Sequence, residues 1–507
     1  MENNNSYEKF LASYKQRLND QQVLVECSVN MDSESPISKV LAVDSSACVD
    51  QVENLSGEAS VTGTVTVDVV YITESQQIGA STYSTSFVSK VQDTSITPDA
   101  KVFVSANVED TTVNSLSGFT AKVLCNITLC SECNKNQEVS YLSGATEDIC
   151  IKQAETTCMY LSSAVSSTWT ENQQCVVKEP IRKLLASHCD VVCKKWEASY
   201  NTVTVEGQIF NKLIYLTDEE TPNLKTVNNT YDFRQEIASE NISKDAMAEI
   251  DVCVVASQLK TTLDEKNEQT TIELEIPLRA NVRVYENKTD LTIVDLYSTK
   301  NNVLLTNSGY NNCVVYVPEV FEKKIEGSVS LTENEPLIDK LLAVSYSHAK
   351  VTSYYIADDE IVVEGIACAN LIYLNDEESK INSVDIEIPF VVSNSTELPE
   401  GSEIRVVATL SDVDVMVKKG RDVYLDACLK VYASVTQCVS GVVISDVQVG
   451  EPLQKQDEGI EIYFAKSGDD VWDIAKELKV DPLLIETQNS DVVFPLEKDE
   501  NIAVYYN

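Results

Sequence analysis

Three stretches of the chain alternate apolar and polar residues with period two, and they share one layout. Val61, Val65, Val67, Val69 and Tyr71 form the first apolar column, Val203, Val205, Ile209, Leu213 and Tyr215 the second, and Ile361, Val363, Ala367, Leu371 and Tyr373 the third. Period two with β-branched enrichment predicts a half-buried strand. Each column is interrupted by a glycine, Gly63, Gly207 or Gly365, with the tyrosine eight residues further on in every case. A glycine inside a strand predicts a bulge or a close approach of another chain segment. A motif precedes each column: Pro36-Ile37-Ser38-Lys39-Val40-Leu41-Ala42, Pro180-Ile181-Arg182-Lys183-Leu184-Leu185-Ala186 and Pro336-Leu337-Ile338-Asp339-Lys340-Leu341-Leu342-Ala343. A second alternating run closes each unit: Val123 to Leu129, Ile272 to Val282, and Val423 to Ala433. Acidic turns such as Thr217-Asp218-Glu219-Glu220 and Asn375-Asp376-Glu377-Glu378 join the runs. The chain therefore reads as three copies of one unit, each an antiparallel β-sandwich of about 110–140 residues.

The period changes at both ends. Tyr7, Phe10, Leu11, Tyr14 and Leu18 lie at helical spacing, which predicts a helical leader over 1–21 docked on the first unit. The units are then expected at 22–150, 151–298 and 299–449, with a polar linker at 450–459. From 460 to 507 the order becomes strand, glycine turn, helix, helix, strand. Val471, Ile474, Ala475 and Leu478 make an i, i+3, i+4, i+7 stripe. Asp469 and Asp470 stand where carboxylates favour a helix start, and Asp481-Pro482 is a capped start with proline first. The expected fold is mainly β: three tandem antiparallel β-sandwich-like repeats followed by a small α+β domain of βααβ order.

Charge narrows the partners. Thirty-nine Lys and Arg stand against 80 Asp and Glu, a formal charge of −41. Such a field repels nucleic acid and anionic lipid and suits a basic protein partner. No run approaches the ~18 apolar residues of a spanning helix, so no transmembrane segment is expected. The start, Met1-Glu2-Asn3-Asn4-Asn5, lacks the features of a secretory signal. The fifteen cysteines, mostly inside alternating runs, are accordingly expected to be buried thiols in a cytosolic protein.

Catalytic chemistry finds little support. The two histidines, His188 and His348, occupy non-equivalent points of their units, and no nucleophile elbow, phosphate loop or zinc-protease motif accompanies them. Cys130-Ser131-Glu132-Cys133 lacks the second pair a zinc site needs, and the acidic turns lack calcium-loop spacing. No enzyme activity, cofactor or metal is expected.

The stretch Ile462-Tyr463-Phe464, Lys466-Ser467-Gly468-Asp469-Asp470-Val471-Trp472, Asp481-Pro482-Leu483-Leu484-Ile485 and Ile502-Ala503-Val504-Tyr505-Tyr506 resembles a LysM module. Such modules usually hold N-acetylglucosamine polymers in a shallow groove. Here the resemblance implies a groove of Ser467, Gly468, Asp469, Asp470 and Val471 faced by Asn489, Ser490, Asp491 and Val492. Departures from the pattern shift the expectation. Asp470 replaces the usual threonine, Leu483 and Leu484 replace acidic positions, and Tyr505-Tyr506 replaces the closing Ile-Pro. Trp472 lies off the core stripe and is expected to be at least partly exposed. Trp472, Leu483, Leu484, Tyr505 and Tyr506 are thus candidate contacts for a partner protein; the alternative for the two leucines is packing against the neighbouring unit.

Tandem Pro-x-x-Lys-(Leu/Val)-Leu-Ala … Val-x-Gly … Tyr units with a terminal LysM resemble the spore-coat morphogenetic proteins of endospore-forming Firmicutes, of the clostridial SpoIVA-interacting type built from SPOCS repeats plus LysM. The resemblance spans about residue 22 to 507. It implies a non-enzymatic scaffold in the mother-cell cytoplasm at the forespore surface. Its implied partners are the SpoIVA-like coat morphogenetic ATPase and other spore-coat proteins, and its implied role is coat encasement. Peptidoglycan binding through the LysM module is the alternative.

Overall fold

A computed structural model of the chain describes residues 5–146, 148–218, 223–264, 269–375, 380–454 and 459–506. It is mainly β and antiparallel throughout. Strands β1 (Ser6–Arg17), β2 (Gln21–Asn30), β3 (Ile37–Leu55), β4 (Glu58–Thr73), β5 (Ile78–Gln92), β6 (Lys101–Ser117) and β7 (Thr120–Gly144) make the first unit. The second runs through β8 (Ile149–Val176), β9 (Ile181–Ser199), β10 (Thr202–Thr217), β11 (Leu224–Ala238), β12 (Met247–Val254), β13 (Lys260–Asp264) and β14 (Thr271–Ser298). The third comprises β15 (Asn301–Val315), β16 (Glu319–Ser330), β17 (Lys340–Ala357), β18 (Glu360–Asn375), β19 (Lys380–Ser395), β20 (Ser402–Lys418) and β21 (Asp422–Pro452).

The units share one plan. A three-stranded sheet (β3-β4-β5, β9-β10-β11 or β17-β18-β19) packs on a second sheet whose centre is the long closing strand, β7, β14 or β21. That strand takes β1 and β2 on one edge and β6 on the other; in the second unit β8 does the work of the first pair while β12 and β13 divide the other edge. Between the sheets lie the alternating columns, so that Val61, Val203 and Ile361 are fully buried against Val123, Leu274 and Leu425 of the closing strands.

The glycine in each column has a definite task. Gly63, Gly207 and Gly365 pair across the ladder with Phe87, Phe233 and Phe390. The phenyl ring lies over the glycine: at Gly365 a Cβ would sit 2.6 Å from the Phe390 ring and 2.5 Å from the Lys350 carbonyl. Register shifts occur at the same glycines on the other edge. Close approach and bulge, both expected for such a residue, coincide here. The Tyr71 hydroxyl then donates to the Asp32 carbonyl (2.9 Å), in the segment before its motif, and that of Tyr373 to the Pro336 carbonyl (3.3 Å) at the start of its own.

The three units close in a ring. β5 meets β9, β11 meets β17 and β19 meets β3, so the last strand of each small sheet touches the first of the next. At the centre the Leu-Ala of the motif meets its copies: Leu41, Ala42, Leu185, Ala186 and Ala343 share one buried cluster with Val70, Ile214 and Ile372. A second three-way core forms where the closing strands run on past the sandwiches. The β1–β7, β8–β14 and β15–β21 ribbons converge there, and Phe10, Tyr141, Cys158, Tyr310 and Val443 pack together.

The leader is therefore a strand and not a helix. Phe10 and Ala12 are buried and Leu11 is exposed, which is the alternation of a strand, and β1 pairs residue by residue with the far half of β7. Apolar positions 10, 14 and 18 suit either period; a ready partner ladder decides the matter, because pairing satisfies every backbone group along the segment. The linker is also shorter than expected, since β21 continues to Pro452 opposite Asn301; residues 455–458 lie outside the described residues. So do most of the acidic turns, at 219–222 and 376–379.

Candidate interaction surface

Residues 459–506 build β22 (Gly459–Ala465), α1 (Val471–Leu478), α2 (Pro482–Gln488) and β23 (Glu500–Tyr506), with the two strands paired antiparallel. Gly468 takes a φ of +94° in the turn before α1, and its amide donates to the Leu496 carbonyl at 2.7 Å. Asp470 occupies the N-cap of α1 without a side-chain cap bond. Asp481 does cap α2, accepting from the Leu483 amide at 2.9 Å, with Pro482 following it. Ile474 and Ala475 of the expected stripe are fully buried, and Val471 and Leu478 are partly so.

Pleating sorts the small sheet into two faces. Tyr463, Ala465, Ile502 and Val504 point to the helices. Ile460, Ile462, Phe464 and Tyr505 point away, and their exposures are 65%, 56%, 76% and 47%. Ile460 and Tyr505 are cross-strand partners, so the four side chains form one continuous apolar face. Exposed apolar residues scattered singly mean little, whereas a contiguous set on a small module marks a contact surface.

The predicted partner residues divide. Tyr505 belongs to this face, and Leu483 stands 65% exposed on α2. Leu484 is half-buried in the module core, while Tyr506 points inward with its hydroxyl donating to Glu461 at 2.7 Å. Trp472 corrects an expectation. It is buried (8% exposed), and what covers it is the second unit. Its indole N–H donates to Asp295 Oδ2 at 2.9 Å, and its ring meets that of Tyr297 edge-on with centroids 5.1 Å apart. Lys476 Nζ reaches both Asp295 oxygens at 2.7 Å, and the Tyr297 hydroxyl donates to the Val480 carbonyl at 2.7 Å. Lys476 and Trp472 hold the Asp295 carboxyl below its usual range against the burial that opposes them. A residue off the helix's own stripe is thus covered by another unit, which helical periodicity cannot foretell.

The groove expected for sugar is tightly tied internally. Ser467 donates from its amide to Asp499 and from its hydroxyl to the Glu497 carbonyl, both at 2.9 Å. Asp469 accepts from the Lys466 amide, and Asp470 lies 3.7 Å from Lys152 of the second unit. Across from them Asn489 is buried. Its Nδ2 donates to Ile485 and Ala503 carbonyls at 3.0 and 2.9 Å, and its Oδ1 accepts from the Ala503 amide at 3.0 Å. Asn489 therefore clamps α2 to β23 and has no donor to spare. Ser490 and Asp491 are exposed and Val492 is half-buried. Ile460, Ile462 and Phe464 are the surface residues that sequence reading missed; their signal was an alternating run whose second face is as apolar as its first.

Two segments, residues 36–116 and 337–418, match the family described as SipL, SPOCS domain. They cover β3 to β6 of the first unit and the equivalent β17 to β20 of the third. No curated protein matches the chain, and no solved structure does. The two matches cover about a third of the chain and suggest a sporulation-related function. No helix among the described residues is long and apolar enough to cross a membrane.

Proposed function

We propose that this chain is a non-enzymatic scaffold of the spore coat, made in the mother-cell cytoplasm and working at the forespore surface. Its three units are read as SPOCS repeats and its terminal βααβ module as a LysM domain. In this reading the scaffold binds the SpoIVA-type basement-layer coat ATPase and promotes coat encasement together with other coat proteins. The observation that carries the reading is the apolar face of Ile460, Ile462, Phe464 and Tyr505, held outward on a module that is itself fastened to the second unit. A ring of three units with interlocked cores offers a stiff body, and a polymerised partner would be gripped at several points with gain in avidity. Peptidoglycan as the ligand has less support, because Asn489 is consumed internally and the groove carries three carboxylates, Asp469, Asp470 and Asp491.

The test is co-purification of the coat ATPase with the full chain and with a form ending at Gly450. Equal capture by both forms removes the module from the interface. Sedimentation of the full chain with purified peptidoglycan, compared with the same truncated form, separates the glycan alternative.

A further inference from the structure

Cys48 on β3 of the first unit and Cys253 on β12 of the second bring their sulfurs to 3.1 Å, across 205 residues of sequence. The setting is more than two adjacent thiols. Cys253 stands opposite Arg279 in the β12–β14 ladder, so the two side chains leave the same face of that sheet together. The Arg279 guanidinium reaches back across the seam to Cys48 Sγ at 3.5 Å, to the Val49 carbonyl at 2.5 Å and to Asp50 Oδ1 at 3.1 Å. One cation thus holds the two residues that follow Cys48 and lies against its sulfur. Cys48 is buried, while Cys253 and the Asp50 and Arg279 side chains are partly open, so a small solute can reach the pair from the Cys253 side.

We propose that Cys48 and Cys253 form a peroxide-responsive thiol pair that closes to a disulfide and locks the first unit to the second. The Cys253 hydrogen bond and the Arg279 charge draw the Cys48 thiol down, against burial and the charges of Asp50 and Asp251, and they leave Cys253 as the protonated member, pushed up. A thiolate beside a guanidinium is the nucleophile of such chemistry. The Cys48 thiolate attacks one oxygen of hydrogen peroxide, breaking the O–O bond and giving a sulfenic acid and hydroxide. Cys253 then attacks the sulfenic sulfur, the S–S bond forms, and the sulfenic oxygen leaves as water with the Cys253 proton. In balance, two thiols and one peroxide give one disulfide and two waters, with sulfur oxidised and peroxide oxygen reduced. The sulfurs need approach only from 3.1 Å to the roughly 2.0 Å of a bond. Among the described residues two further thiol pairs lie close, Cys27 with Cys125, both buried inside the first unit, and Cys313 with Cys438, cross-strand partners within the third, and neither would link one unit to another.

The experiment uses the reduced, native full chain titrated with hydrogen peroxide, alkylated, digested and read by mass spectrometry. A Cys48–Cys253 peptide pair is expected at lower peroxide than oxidation of the exposed Cys438. Dithiothreitol should reverse it, and the urea-unfolded chain should show no preference for this pairing. In Cys253→Ser the sulfenic acid should persist on Cys48 and be captured by dimedone. In Arg279→Gln the rate near neutral pH should fall by about tenfold for each unit that the Cys48 thiol moves up. Recovery of both cysteines as free thiols after Cys438 is oxidised overturns the proposal, as does a pairing that forms equally in the unfolded chain. The wild-type readout needs no variant to fold.

Discussion

Trp472 of the C-terminal module donates its indole N–H to Asp295 of the second unit, and Lys476 from the next turn of α1 holds the same carboxylate. One acceptor therefore ties both ends of a short helix segment to the body of the protein. Asp295→Ala should weaken this docking by about 1.5–3 kcal/mol, the range for hydrogen bonds to a charged group. Hydrogen exchange of the α1 amides should speed up while the amides of β10 and β18 stay protected. Trp472→Ala should cost more, about 3–5 kcal/mol, since it also empties the space beside Tyr297. Unchanged exchange in α1 for Asp295→Ala would show that the carboxylate adds nothing to the dock.

The ring–glycine pairs make a second prediction. In Gly365→Ala the new methyl meets the Lys350 carbonyl and the Phe390 ring at once, and only the ring can move. A destabilisation of about 1–3 kcal/mol follows from overpacking, read as a lower urea midpoint with unchanged slope. Shortening the ring in Gly365→Ala/Phe390→Leu should recover part of that loss. The double variant being worse than the sum of the two singles would contradict the account.

Much of this body was legible before the fold was seen, for reasons that are local. Val61 to Tyr71 and its copies alternate because one face is core, and Asp481-Pro482 starts a helix from its own side chain and ring. What escaped depends on distant partners. Phe10, Tyr14 and Leu18 satisfy both a helical and an extended period, and only the free edge of β7 selects the strand. Trp472 lies outside the α1 stripe, and its cover comes from Asp295 and Tyr297, far away in the chain. Leu41, Ala42, Leu185 and Ala186 read as ordinary strand residues, yet they form the axis on which three units meet.

His188 at that axis sets a dependence on pH. Its Nδ1 lies 2.9 Å from Asp44 of the first unit and its Nε2 3.3 Å from Asp190. The two carboxylates raise the imidazole well above its usual range, overcoming the burial that opposes them. A group raised by folding contributes stability that is complete below its unfolded value near 6.5 and is lost as pH rises through the folded value. Asp68, pushed up to about 6 chiefly by burial, works in the same sense, whereas Lys212, lowered to about 8 by burial, works in the opposite one. His188→Gln should therefore cost at most about 3–5 kcal/mol at pH 6, where it leaves the partly buried Asp44 and Asp190 without that cation. The gap from wild type should narrow as the pH is raised above the folded value of His188. Parallel stability curves from pH 6 to 10 would rule out a charged His188.

A denser network joins the first and second units and predicts the acid limb. Lys15 and Arg283 face Glu132 and Glu249, with contacts of 2.6 Å from Lys15 to Glu249 and from Arg283 to Glu132, and the Tyr285 hydroxyl donates to Glu249 at 2.7 Å. Arg283 and Lys15 hold both carboxyls below their usual range in spite of burial. Depressed carboxyls contribute stability that is present above the unfolded value near 4.5 and lost as pH falls through the folded ones. Glu249→Ala leaves two buried cations sharing one anion and should cost about 3–5 kcal/mol at pH 7. Its difference from wild type should shrink as pH falls below 4, followed by thermal unfolding. A constant difference down to pH 3 would place the loss in packing and not in charge.

The apolar face of the module separates binding from stability. Phe464 is 76% exposed and makes no aromatic pair among the described residues, so Phe464→Ser removes area that folding did not bury. Its effect on the unfolding midpoint should stay within about 0.5 kcal/mol, the range of ordinary surface changes. On the proposed reading, capture of the coat ATPase should fall by at least about tenfold, because a central aromatic anchor is worth about 2 kcal/mol or more at an interface. Ile462→Ser, one pleat along the same face, should act in the same direction, and Val442→Ser on β21 of the third unit, 69% exposed and outside the module, serves as the matched control. Equal loss at the control would point to a general change in the protein. Full capture by both face variants would move the contact elsewhere on the module, with Leu483 as the next exposed apolar group to test.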